Sequence, residues 1–381
     1  MSSEDESSAP QIVPEIDSQP PAVNEPAETR LLKWILLGSQ GIRAGWSAAC
    51  FVLLYFILQA IFGAVLITAL HINPADLKSF TPNTALLLEI LQILPIAGAA
   101  ALCALMERRS ILDYNLSGPQ RALRFLTGIG AGFAALSVLA AVLYAGGWLR
   151  FGALSLSGMQ IAKFGTLWGL VFLLTGFAEE GVMRCYLLFT LTRGINYWWA
   201  LGVVAVFSLF VVLNPDGNGN GGVYAAAALG LLPCLFLHWK QAPSAGFWEA
   251  AWVTSTLFGY IHTFNHGETW LGIFSAALIG FVFCASVYLT GSAWWAIGFH
   301  ASWDWAQTFF YGTADSGLIP KGHFLTTTPA GAVSWSGGNA GPEGSLLVIP
   351  MILLVLAALV LVYGRRGRVE SSSPVDRPQL S

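Results

Sequence analysis

A small set of ionisable side chains stands inside apolar stretches of this sequence. Glu179, Glu180 and Arg184 fall within TLWGLVFLLTGFAEEGVMRCYLLFTLTR. His262 follows Phe258 by four residues in LFGYIHTFNHG, with His266 four further on, and His300 precedes Asp304 by four in GSAWWAIGFHASWDWAQ. Side chains four apart are neighbours on a helix face, so each group can point into one interior. An ionisable group at the centre of a bilayer helix costs roughly 2.5 to 3.5 kcal/mol on insertion scales, which makes each a candidate for function. Two carboxylates, an arginine, two histidines and an aspartate gathered in a low-dielectric bundle can carry out acid–base or metal-assisted hydrolysis.

Each group also has a plainer reading. Glu180 with Arg184 is a common intrahelical ion pair that fastens a bundle, and a single core histidine is more often hydrogen-bonded than catalytic. Glu179 still needs a second partner, and His262 and His300 occur together in matched contexts. His266 sits near an expected helix end. His71, His238 and His323 fall at span ends or in loops, where they read as interfacial or solvated. Trp198, Trp199, Trp294 and Trp295 read as headgroup anchors, while Glu107, Arg108, Arg109 and Asp113 read as a solvated loop.

The elements that position these groups follow from composition. Of 381 residues, 55% are hydrophobic and only 10% charged, with 15 Trp, 24 Phe and 41 Gly. An ordinary soluble domain carries about 25% charged residues, so the expected fold class is an all-α, polytopic transmembrane bundle. A net charge of −3 without a basic stripe excludes a nucleic-acid binder. Cys50, Cys103, Cys185, Cys234 and Cys284 lie in five separate apolar stretches and read as small buried hydrophobes rather than a disulfide or thiolate site.

Apolar runs near the length of a bilayer crossing predict about ten spans. Eight are long, near 45–69, 84–106, 123–147, 165–191, 250–266, 269–290, 292–311 and 345–363. Two are short, 198–213 and 223–238, and read as a hairpin around the helix-breaking run from Asn214 to Gly222. With the N-terminus inside, 13 of the 18 basic residues fall on the inner side, which predicts both termini in the cytoplasm and a multi-pass protein of the cell membrane. The expected organisation is a disordered acidic tail over 1–30 with no signal-peptide pattern, N-terminal transmembrane helices over 31–164, and a core over 165–311 containing the hairpin 198–238. An external Gly-rich loop over 312–344, a last transmembrane helix over 345–363 and a basic, disordered tail over 364–381 complete it.

The run Glu179, Glu180, three residues, Arg184, then Phe258 with His262, then His300 with Asp304, resembles the three signature motifs of the CPBP (CAAX protease and bacteriocin-processing) family. Type II CAAX prenyl endopeptidases belong to that family. EExxxR alone is weak, whereas three motifs in order, each in an apolar span, form a strong signal, and the resemblance covers 165–311. It implies an intramembrane endopeptidase acting on a membrane-associated, lipidated or unlipidated, peptide or protein. It further implies that Glu179 is the base that activates water, that His262 helps hold that water, and that Glu180 and Arg184 shape the site. His300 and Asp304 match the pair that stabilises the oxyanion. Where the family often has Asn, this chain has Asp304, which can orient His300, donate a hydrogen bond when protonated, or bind a metal.

Glu179, His262, His300 and Asp304 suit Zn²⁺ with a water in the open position, while carboxylates with histidines also run a metal-free glutamate mechanism. The sequence leaves both open, and it does not name the substrate or oligomeric state. Two other function classes remain: a non-catalytic immunity or partner-binding membrane protein of the same family, and a proton-coupled secondary transporter.

Overall fold

A computed structural model describes residues 27–38, 41–70, 80–213, 220–265, 267–315 and 319–370. His71, His266, most of the run 214–222 and most of both tails, all singled out in the sequence, lie outside the described residues.

The described residues open with α1 (Ala27–Leu36) and a pair of two-residue strands, β1 (Leu37–Gly38) against β2 (Gly41–Ile42). Three long helices follow, α2 (Ala44–Leu70), α3 (Pro82–Glu107) and α4 (Arg121–Ala145). After β3 (Leu149–Leu154), α5 (Met159–Glu180) passes through a π-helical turn, Gly181–Leu187, into α6 (Leu188–Thr192). The expected hairpin is α7 (Tyr197–Leu213) and α8 (Asn220–Trp239). Then come α9 (Ala245–Ile261), α10 (Trp270–Thr290) and α11 (Trp294–Trp305), the last continuing into a second π-helical turn, Ala306–Phe310. β4 (Leu325–Pro329), the short α12 (Val333–Ser336) and α13 (Val348–Glu370) close the order.

Local chemistry sets several boundaries. Thr81 and Thr84 form a reciprocal capping box with Pro82 at the first helical position, which starts α3 where Pro has no N–H to lose. Thr269 accepts from the Gly272 N–H at 3.1 Å to start α10, and Gly291, at φ 75°, ends it in the left-handed region that Gly adopts freely. Six helices among the described residues are long and apolar enough to cross a membrane, and α7 and the apolar part of α13 are shorter.

Small residues bring the site-bearing helices together. A Cβ on Gly128 or Gly132 of α4 would fall 2.3 Å from Trp295 O or Phe299 O of α11, and one on Gly298 would fall 2.3 Å from Phe125 O. Gly128 and Gly132 form the small-xxx-small pattern that lets backbones approach closely in a bilayer, where apolar burial offers no contrast with lipid. Among the six long apolar helices α10 is the most enclosed: 72% of its apolar window is buried within the protein.

Two boundaries differ from the sequence expectation. α9 ends at Ile261, so His262 opens a 3-10 turn rather than riding a continuous helix to 266. The helix expected over 165–191 begins at Met159 and reaches Thr192. The Gly-rich segment after α11 is structured as well. β4 pairs antiparallel with β3, and the Ser275 hydroxyl of α10 donates to the Glu343 backbone carbonyl at 3.1 Å, tying the segment to the bundle.

Candidate active site

Glu180 and Arg184 sit at the join of α5 and its π-helical turn, both 0% exposed. Arg184 Nη1 donates to Glu180 Oε1 at 3.1 Å. The guanidinium carbon lies 4.3 Å from the Phe258 ring and 5.3 Å from that of Phe283, so two aromatic faces take part of the positive charge. Gly280 makes the space, since a Cβ there would fall 2.6 Å from Arg184 Nη2. The π-turn widens the helix at this point, a deviation that recurs at functional sites. Asn115, itself at φ 54°, donates its side-chain amide to the Arg184 carbonyl at 2.7 Å, fixing the turn from a neighbouring loop.

His300 of α11 joins three carboxylates. Its Nδ1 lies 2.8 Å from Glu180 Oε1, and a carboxylate only accepts, so Nδ1–H is the donor. Its Nε2 lies 3.4 Å from Asp304 Oδ2 and 3.7 Å from Glu179 Oε2. Asp304 therefore lies within ion-pair distance of His300. Glu179 is the most open carboxylate in the group, its side chain 24% exposed against 0% for Glu180 and 11% for Asp304. The Oε2 atoms of Glu179 and Glu180 and the Nε and Nη2 of Arg184 are buried without hydrogen-bond partners.

His262 approaches from the end of α9. Its Nδ1 lies 2.7 Å from the Phe258 carbonyl, which can only accept, so Nε2 keeps its lone pair for a water or a substrate N–H. Phe258 links the histidines: its ring centroid is 4.7 Å from that of His262 and 6.1 Å from that of His300. A cavity of about 70 Å³ is lined by His262, His300 and Asp304 on its polar side and by α13 residues such as Met351 and Ile352 on its apolar side. That volume holds several waters.

Of the residues the sequence singled out, Glu179, Glu180, Arg184, His300 and Asp304 are joined by direct contacts, and His262 shares the cavity. Other carboxylates converge without any motif to announce them. Glu89 of α3 interacts electrostatically with Glu179 and His300. Asp315 accepts from Thr308 of the second π-turn at 2.7 Å and feels Glu179, His300 and His262. Glu343 Oε1 accepts from Trp303 Nε1 at 3.0 Å and lines the cavity. Burial raises the Asp315 carboxyl, and burial with Asp315 and Asp304 beside it raises that of Glu343 well above the usual range. Glu268, just before α10, is pushed up to about 7 by burial, against the Thr269 N–H bond that favours its charged form. An acid inside an apolar run was the one available signal for Glu89; Asp315 and Glu343 lie in a polar segment where sequence offers none.

Among the described residues no three His, Cys, Asp or Glu side chains are grouped to hold one metal ion. His300 turns one ring nitrogen to Glu180 and the other toward Asp304 and Glu179, which is the geometry of a hydrogen-bonding hub. Glu179, His262, His300 and Asp304 are accordingly not gathered about one point in this arrangement.

The long apolar helices point to a multi-pass membrane protein with a buried acid–histidine centre in its bundle. Residues 234–306, from within α8 through α11, match the family model described as type II CAAX prenyl endopeptidase Rce1-like, so this part of the chain is similar to that family of membrane proteases. The match contains Phe258, His262, Gly280, His300 and Asp304; Glu179, Glu180 and Arg184 lie outside it and join the others through the contacts above. No curated protein and no solved structure matches the chain.

Proposed function

We propose that this protein is an intramembrane endopeptidase that hydrolyses a peptide bond in a membrane-associated peptide or protein. The carrying observation is the convergence on His300 of Glu179, Glu180 and Asp304, contributed by two separate helices. In this reading Glu179, the most open acid, takes a proton from water as the water oxygen bonds to the peptide carbonyl carbon. His262 Nε2 accepts from the same water. Charge gathers on the carbonyl oxygen, toward His300, held in place by Glu180 and Asp304. Glu179 then passes its proton to the departing amine nitrogen as the C–N bond breaks, leaving a free acid and a free amine. Glu180 and Arg184, wholly buried, shape the site rather than react.

The supporting arrangement is one of about ten crossings with both ends in the cytoplasm of a cell membrane. The six long helices, the shorter α7 and α13, and the basic residues of the inner loops are consistent with it. The test is product analysis of membrane peptides incubated with purified protein in vesicles and ¹⁸O-water. The proposal expects one ¹⁸O in each new carboxyl group. Intact peptides together with proton flux across the vesicles would instead favour the transporter reading.

A further inference from the structure

We propose that Glu343 selects substrates with a cationic group, a Lys or Arg side chain or a free amine, close to the bond that is cut. The inference rests on the hydrolytic reading and deepens it by naming what the same cavity prefers. Pro342–Gly344 is a 3-10 turn held on two helices: Ser275 of α10 donates to the Glu343 carbonyl at 3.1 Å, and Trp303 of α11 donates to Glu343 Oε1 at 3.0 Å. The preceding Gly341, at φ 85°, lies so close to Ala314 that a Cβ would fall 2.1 Å from its carbonyl oxygen. Both ends of the segment after α11 are therefore packed against each other, and the turn presents its acid at a fixed place. That place is the cavity holding His262, His300 and Asp304.

Charge compensation separates Glu343 from the motif acids. Glu180 has Arg184 and His300, and Asp304 has His300. Glu343 has a neutral indole N–H, and the charges acting on it most are the acids Asp315, Asp304 and Glu268. A field that holds a proton on Glu343 holds an ammonium or guanidinium group in its place, with the proton released to water. Beyond the lining residues, Glu179 and Glu180, both in contact with His300, each keep an Oε2 without a hydrogen-bond partner, so acceptor capacity remains next to the cavity as well. The opposite wall, with Ile279, Met351 and Ile352, is apolar. A cation flanked by apolar residues fits both sides.

The probe is a set of quenched fluorogenic peptides with an apolar core, in detergent, carrying Lys, Glu or norleucine at each position in turn. Wild-type protein is expected to show kcat/KM at least tenfold higher for Lys than for norleucine at one position. Glu343→Gln, which keeps an acceptor for Trp303, is expected to bring that ratio to about one, and Glu343→Lys to shift preference toward Glu. No Lys preference in the wild type, or a preference unchanged in Glu343→Gln, overturns the proposal. If the variants fail to fold, added salt decides on the wild type: the Lys ratio should fall with ionic strength, and a salt-independent ratio overturns it. If the wild type cuts none of the peptides, the hydrolytic reading fails separately. Fluorescence anisotropy of the same peptides then decides, Lys peptides binding tighter than norleucine ones upholding the selection and equal binding overturning it.

Discussion

α2 and α10 have nearly the same mean hydropathy, 2.4 and 2.1, yet 6% of the apolar window of one and 72% of that of the other are buried inside the protein. α2 spends its apolar side chains outward: Leu53, Phe56 and Ile61 are all more than half exposed. α10 is packed on several sides and carries small residues where its neighbours come close, with Gly280 beside Arg184, and Ser275 under the Glu343 turn. The pair teaches that apolarity in this chain reports residence in the bilayer, while small and polar residues within an apolar helix report contact with the site. In lipid an exposed Leu is already solvated, so outward positions specify little, whereas a Gly at a close approach has no substitute.

This contrast can be broken by substitution. The largest effect on stability is expected for Arg184→Ala, which leaves Glu180 buried without its cation; loss of one partner of a buried pair costs about 3–5 kcal/mol. A sharp fall in apparent Tm of the purified protein would register it. Gly132→Leu comes next, because the added Cβ meets the Phe299 carbonyl and the Ser302 hydroxyl, and overpacking costs roughly 1–3 kcal/mol. Asn115→Ala removes the donor to the Arg184 carbonyl and should cost about 1 kcal/mol or somewhat more, read as a smaller Tm shift.

Glu268→Gln should have an effect that depends on pH. The folded carboxyl titrates at about 7, above its ordinary value of 4.5, so the folded state holds a proton that the unfolded chain has lost between those values. Wild-type stability therefore declines as pH rises through this window, and the Gln variant lacks that part of the decline. The variant should be more stable than wild type at pH 8 and equal to it at pH 4, as measured by apparent Tm. At the other end of the comparison, Leu53→Ala on the outward face of α2 should change stability by less than about 0.5 kcal/mol. A large loss there would show that α2 contacts protein on that face.

The motif residues were legible because a charge in an apolar run is costly and therefore conspicuous. Glu179, Glu180, Arg184, His300 and Asp304 could be picked out one by one, and i, i+4 spacing placed Glu180 with Arg184 and His300 with Asp304. The helices α7 and α8 were likewise visible as two apolar segments on either side of the breaker run. The π-turns were not, since five- to seven-residue changes of helical winding leave no periodicity to read. Neither was the docking of the segment after α11: its Gly-rich, polar composition looks like a free loop, and only tertiary contacts from Ser275 and Trp303 bring Glu343 to the cavity. The end of α9 was misplaced because Thr263, Phe264 and Asn265 continue the sequence without a Gly or Pro; the backbone leaves the helix at Asn265, at ψ 139°.

The central claim is that Glu179 activates the attacking water. Hydrolysis of a reporter peptide in vesicles by purified Glu179→Gln, compared with wild type at matched folded protein, tests it most directly. The account predicts a fall of about 10²–10⁴-fold in rate with little change in apparent Tm, the usual range for loss of a general base. A stably folded Glu179→Gln protein that cleaves at the wild-type rate would contradict it.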